Sequence, residues 1–446
     1  MSINASRVVW STDWQPPAIT ELNFDPSNAT ICAAAGAWMA ADVNTFQDEE
    51  MFMTTNFVTN FLRAILPLDT TPPDNMTLIL WYDGFIRENI DDLSQLQRFA
   101  LYNCAPDVCK NLNWEGDPDV SGRGMLITYY LAAGMVTIYL CALALSGSGI
   151  FRQNYPSRSR RAWLIGGFEA SASTFLDAAL IFAVSMLAAA CFRLSQAFFQ
   201  EYGVAKGHWM IYASIGSIYM STFSSLLPLL LQATAPGIRR HWLRITLWAL
   251  TIILGIVNEG LFDSFFFKIT DPKMKDTLEL VWLQYCSPIN LLSYGITPTL
   301  RIAQGLLVLN TIFYIIYLRY HGKGRNDQTW PKTKNFWRKA IQYIQILNVA
   351  ICCLLMWSMV ATFHYYRDLV DRAAGDDNQN SAWTFGQVLA VATWIPVLVE
   401  LATILKYGTK EGLARKISKK YAIVLNNAPT HDEEKGSQYS RVENRG

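Results

Sequence analysis

Seven apolar stretches of roughly 20 residues dominate this chain, each long enough to cross ~30 Å of hydrocarbon at ~1.5 Å per residue. They lie near 125–147, 172–199, 209–233, 243–267, 298–318, 341–363 and 384–405. Backbone in hydrocarbon must satisfy its own hydrogen bonds, so these stretches predict helices, and together an all-α polytopic membrane bundle of about seven spans. Composition agrees: of 446 residues, 51% are hydrophobic and only 16% charged, too few to coat a soluble protein of this size. The balance of 37 basic against 36 acidic residues excludes a strongly basic nucleic-acid binder and a generally acidic disordered chain. There is no phosphate-binding loop, dinucleotide fingerprint, HExxH or zinc-type Cys/His spacing, so no metal site is expected. Chemistry, where present, comes from a few polar groups inside the bundle, in contact with membrane lipid.

Basic residues sort the connections. Arg152, Arg158, Arg160 and Arg161 follow the first stretch, and Arg239, Arg240 and Arg244 follow the third. Seven Lys or Arg lie from Arg319 to Lys339 and nine from Lys406 onward, whereas Lys206 alone follows the second stretch and Arg367 and Arg372 the sixth. Cytoplasmic connections are the basic ones, which predicts a lumenal N-terminus and a cytosolic C-terminus in the endoplasmic reticulum or another secretory-pathway membrane.

Three regions follow: 1–124, a lumenal helical cap; 125–410, the bundle; and 411–446, a polar, largely disordered cytosolic tail. Residues 1–124 hold 17 acidic against 6 basic residues, a net charge of about −11 that suits the non-cytoplasmic side. All three glycosylation sequons, at Asn4, Asn28 and Asn75, fall here. The opening MSINASRVVWSTDWQ has no apolar leader core, so the first span itself would translocate the preceding segment. Apolar spacings of three and four in 38–67 and 75–104 predict amphipathic helices. Cys32, Cys104 and Cys109, with Cys286 between the fourth and fifth spans, allow two disulfides, the pairing left open. Residues 267–297 exceed a simple connection and read as an interfacial lid.

An ionisable side chain inside a span costs about 2.5 kcal/mol or more, so each should face the bundle interior with a partner or a task. By helical rise Arg193, Glu259, Asp263, Arg301 and His364 reach the lumenal half, and Glu259 and Asp263 share a helix face at a spacing of four. A buried network of the five predicts one protonated carboxyl as general acid, with Glu259, Asp263, Arg193 and His364 as catalytic candidates. Arg301, Phe262, Phe266 and Trp357 are the substrate-binding candidates, the rings facing a developing cation. The plainer alternative is that these charges snorkel and pair across helices while the phenylalanines face lipid. Asp177 and Glu400, both in the cytoplasmic half, form a second possible pair, a proton or cation relay, with Pro396 breaking the last span one turn before Glu400.

Two stretches, GDPDVSGRGMLITYYLAAG before and within the first span and WTFGQVLAVATWIPVLVE in the seventh, resemble a large set of filamentous-fungal multi-pass membrane proteins. That set includes membrane-bound terpene cyclases of fungal meroterpenoid pathways of the ascofuranone and macrophorin type, and the order of spans is similar over residues 105–410. The resemblance implies an isomerase of secondary metabolism. In such enzymes a farnesylated aromatic or its epoxide is protonated and its chain folds into rings without a metal or redox cofactor; the resemblance assigns no catalytic residue. Independently, NEGLFDSFFF only loosely matches the prenyltransferase pattern, and Asp91-Asp92 and Asp376-Asp377 have no suitable downstream partner, which disfavours magnesium-bound diphosphate. Two other classes stay open: a seven-span receptor, whose acidic-arginine pair and asparagine-proline turn are missing from LLQATAPGIRRHW and WIPVLVELATILKYG, and a proton-coupled transporter using Asp177 and Glu400.

Overall fold

The computed structural model describes residues 14–45, 55–112, 117–147, 160–199, 207–234, 242–269, 282–323, 334–374 and 379–408. Among these, every regular element is helical. Asn4, the tail 411–446 and most of the basic connections lie outside the described residues.

Five helices form the N-terminal region: α1 (Ala29–Thr45), α2 (Thr55–Ile65), α3 (Asn75–Trp81), α4 (Ile90–Arg98) and α5 (Ala105–Asn111). Their starts follow local rules. Asp74 caps α3 by accepting from Thr77 N–H, and Asn89 caps α4 by accepting from Asp91 N–H. Trp38 and Phe61 stack in a core with Leu62, Leu78, Leu96 and Val108, all fully buried. The amphipathic reading of 38–67 and 75–104 therefore matches the elements found. Two disulfides fix the open pairing: Cys32 with Cys104 inside this region, and Cys109 with Cys286 across to the segment before the fifth span.

A single turn, α6 (Pro118–Ser121), leads into the long helices α7 (Arg123–Gly147), α8 (Arg160–Phe199), α9 (Gly207–Thr234), α10 (Trp242–Ile269), α11 (Thr297–Lys323) and α12 (Lys334–Ala373), then the shorter α13 (Phe385–Ala392) and α14 (Ile395–Tyr407). Among the described residues, six helices are long and apolar enough to cross a membrane, and α13 with α14, bent by 41°, make a seventh if counted as one span. Trp394 is fully buried at that break, within ring distance of Phe175 and Phe182, and Pro396 opens α14. Of the expected interfacial segment, 270–281 lies outside the described residues; 282–296 is a run of short helical turns entering α11.

Helix α9 is the hub, buried along almost all its spanning length. Its Ser and Thr side chains explain how a polar helix sits there: Ser221, Thr222, Ser224 and Ser225 each return a hydroxyl to a carbonyl three or four residues back. Small side chains also let neighbouring backbones approach. Exposed aromatics mark both ends: Trp242 opens α10 and Tyr343 stands in the third turn of α12, and Tyr365 and Tyr294 lie at the opposite level. From Tyr343 to Tyr365 the rise is ~33 Å, close to a hydrocarbon thickness.

Helices α8 and α12 have 40 residues each, ~60 Å, and outrun the bilayer. The sequence reading ends span six near 363, whereas α12 continues to Ala373. Arg367 with Asp371 and Asp368 with Arg372, pairs at a spacing of four, support the extra turns.

Candidate functional site

The charged residues of the bundle do not form one network; they divide into four groups. On the seam between α10 and α11, Arg301 pairs with Glu259 and, at 2.6 Å, with Asp263, while the Gln304 amide donates to Glu259. This joins three of the five residues expected together. All three are partly exposed, so they resemble an interhelical clamp, with both carboxylates accepting from one guanidinium.

Two of the five, His364 and Arg193, lie elsewhere. His364 Nδ1 is 2.9 Å from the Tyr130 hydroxyl, and Trp357 Nε1 donates to Thr137 Oγ1 at 3.0 Å, so both sit against α7 rather than beside Glu259. Phe262 is buried one turn from Asn258, whose amide donates to the Leu187 carbonyl of α8, and so packs on a face of α10 other than the clamp. The Phe266 side chain lies outside the described residues.

The cytoplasmic-half pair also separates. Arg244 holds Asp177 through Nε at 2.5 Å and Nη2 at 2.9 Å and reaches Ser173 Oγ at 2.5 Å. Glu400 is buried in the field of Tyr139, whose hydroxyl meets Ser171 at 2.8 Å. Arg244, read from sequence as a loop charge, is in the first turn of α10 and one helix over from Asp177. That proximity neutralises the aspartate locally.

Arg193 leads to the fourth group, which sequence reasoning missed. Its Nη2 lies 3.5 Å from Asp117 Oδ1 and 3.7 Å from Asp119 Oδ2. Asp117 caps α6, with Oδ1 accepting from Asp119 N–H at 3.2 Å and Pro118 in the first helical position. The Asp117 side chain is 1% exposed, and among the described residues its Oδ2 has no hydrogen-bond partner. Burial pushes this carboxyl above the usual carboxylate range; Arg193 opposes the rise and the Asp119 charge adds to it.

The turn is held from two other chain segments. Asn380 Oδ1 accepts from Asp117 N–H at 3.1 Å and from Ser121 Oγ at 2.8 Å, and Asn380 Nδ2 donates to Asp371 Oδ1 at 2.6 Å. Arg367 pairs with the other oxygen of Asp371 at 3.3 Å. From α13, Gln387 Oε1 accepts from Gly124 N–H at 2.9 Å while Nε2 donates to the Pro118 and Ala382 carbonyls at 2.7 and 3.0 Å. Thr384 caps α13 and donates to Asp119 Oδ1 at 2.8 Å. A Cβ at Gly122 would stand 2.1 Å from Gln387 Nε2, and one at Gly124 2.6 Å from the Trp383 ring, so both positions need glycine for close approach. Residues from the segment before the first span and from the last span meet here.

Beneath the turn lies a bank of fully buried rings. The Tyr129 hydroxyl donates to the Val120 carbonyl at 3.1 Å, and its ring meets Phe223 and Phe363 edge-on at 5.7 and 6.3 Å. Tyr219 stacks on Phe363, and Tyr212 stacks on Tyr366 at 5.6 Å. No family model, curated protein or solved structure matches the chain. The site is therefore read from its own chemistry: a buried acid with one oxygen in the carbonyl role and the other available to carry a proton, beside π-faces suited to a cation.

Two sequence signals point to this site. Asp-Pro-Asp is a helix-start pattern, unusual immediately before a membrane span, and Gln387 is an isolated amide inside an apolar run. Neither reveals the other as its partner, since they are 263 and more residues apart in sequence.

Proposed function

We propose that this chain is an integral membrane terpene cyclase that protonates a prenylated aromatic, or its terminal epoxide, and closes the prenyl chain into rings. The observation that carries the reading is Asp117, a buried carboxyl whose Oδ2 has no hydrogen-bond partner among the described residues and which stands next to the aromatic bank. Asp117 Oδ2 gives its proton to the terminal alkene or the epoxide oxygen; that π bond or C–O bond breaks, and neighbouring alkenes form new C–C bonds in turn. The last cation returns a proton to the Asp117 carboxylate, so product and substrate are isomers and no co-reactant is consumed. Asp119 pairs with Arg193 and accepts from the Thr384 hydroxyl, whereas burial pushes the Asp117 carboxyl up, and paired carboxylates with different surroundings take different roles. The relay that a transporter reading asks of Asp177 is weakened by its pairing with Arg244.

The test is incubation of microsomes containing the chain with a farnesylated phenol and, separately, its terminal epoxide. A product of unchanged mass and altered retention, absent from empty microsomes, is expected. No isomer from a panel of prenylated aromatics, with well-folded protein, would overturn the reading.

The same reading places the N-terminal region in the lumen of the endoplasmic reticulum or another secretory-pathway membrane. Its two disulfides, its acidic charge and the basic connections at the other end of the helices support this. Asn28 and Asn75 are both exposed. Endoglycosidase is expected to shift the protein on a gel, with one step lost in Asn28→Gln and another in Asn75→Gln. An unshifted wild-type protein that also resists membrane-impermeant thiol and protease probes from the lumenal side would refute the orientation.

A further inference from the structure

Gln387 is fully buried on α13, and its side-chain amide makes three hydrogen bonds, all to backbone groups. Two of the three go to the turn that carries Asp117: Nε2 to the Pro118 carbonyl and Oε1 from Gly124 N–H. They bracket α6 at its first residue and just beyond its last. The Pro118 carbonyl is not an idle partner, because it also receives Gly122 N–H. The amide thus ties one backbone knot that fixes where Asp117 stands, without touching the carboxyl. The glycines at 122 and 124 are there to admit it.

We infer that Gln387 is a positioning residue, the amide through which the broken last span holds Asp117 in its dry, hydrogen-bond-poor location. This deepens the proposed reading and rests on Asp117 being the acid. The groups that face Asp117 are Asp119 on its own turn, Arg193 from α8, Tyr129 from α7 and, through Asn380, Asp371 and Arg367 from α12; Tyr212 of α9 lies next to Ser121. None of these comes from α13, so a change at Gln387 acts on Asp117 by geometry and not by adding or removing a neighbouring charge.

The experiment uses full-length protein in lipid nanodiscs and reads the protonated-carboxyl stretch by infrared difference spectroscopy across pH, with Asp117→Asn identifying the Asp117 band. In Gln387→Leu the amide is gone, the turn loosens and water reaches the carboxyl, so the band is expected to disappear at a lower pH than in wild type. With a cyclisable substrate, kcat is expected to fall on the order of 100-fold, the cost of a misplacement of about 1 Å, while KM changes little. Gln387→Met, close to glutamine in length and neutral, decides the matter if the leucine variant does not fold: it neither accepts from Gly124 N–H nor donates to Pro118 O, so the Asp117 band is again expected to disappear at a lower pH than in wild type. An Asp117 titration identical to wild type in folded Gln387→Met would overturn the inference. The infrared readout needs no turnover: absence of cyclisation with a Gln387-dependent titration would reject the cyclase reading and leave the positioning role standing.

Discussion

Asp117→Asn is expected to lower the cyclisation rate by ~10²–10⁴-fold, the range that a positioned general acid supplies. Asparagine is a neutral near-isostere of the protonated acid, so its side-chain carbonyl still accepts from Asp119 N–H and the turn should stay folded. Only the transferable proton is lost. Glu259→Gln and Asp263→Asn, which loosen the Arg301 clamp but leave Asp117 alone, are expected to cost less than ~10-fold; initial rates of isomer formation at matched amounts of folded protein separate the cases. The acid acts in its protonated form, and burial raises its pKa, so activity is expected to be full below that pKa and to fall as pH rises through it. In Arg193→Gln the opposing positive charge is gone, the pKa moves up further, and the fall of activity is displaced to higher pH. A loss confined to Glu259→Gln, with Asp117→Asn fully active, would return the acid to the α10–α11 seam.

The legible and illegible parts of this molecule divide by range. The helices are written locally: apolar stretches of membrane length and Pro396 at the bend before Glu400 appear where the sequence leads one to expect them. Depth was also legible, since rise per residue alone brings Glu259 and Asp263 to the level of Arg301 on a neighbouring span. Azimuth was not. Whether Arg193 points towards α10 or towards the α6 turn depends on how α8 is rotated against its neighbours, and that rotation is fixed by packing over its whole length, including Phe175 against Trp394 and Asn258 against Leu187 O. Asp117 escaped for a further reason: a search for ionisable residues within spans that begin at 125 stops eight residues short of it. Likewise, ending the sixth span at the last apolar residue treats Arg367 and Asp371 as a connection, although a helix continues readily into the headgroup region when charges at a spacing of four support it.

Arg367 is expected to matter most for stability. It is buried on α12, its Nε is 3.3 Å from Asp371 Oδ2, and its Nη2 donates to the Asn380 carbonyl at 3.4 Å. Asp371 in turn anchors Asn380, which holds the Asp117 turn. Arg367→Leu leaves the Asp371 charge in a mostly desolvated place beside the apolar bank, and removing one partner of a buried pair costs about 3–5 kcal/mol. The lower end, about 3 kcal/mol, is expected because the Asp371 side chain keeps 24% exposure. The double variant Arg367→Leu/Asp371→Asn removes the stranded charge while its amide can still receive from Asn380 Nδ2, so it should recover most of that loss. Thermal unfolding of the purified protein in one detergent, followed by helix content, measures the cycle. If the single and double variants are destabilised equally, the charge is not the cause and Arg367 acts through its own packing and its bond to Asn380. Recovery of stability in the double variant, with the Asp117 titration also returned to its wild-type position, would show that the polar chain from α12 through Asn380 to the α6 turn works as one unit.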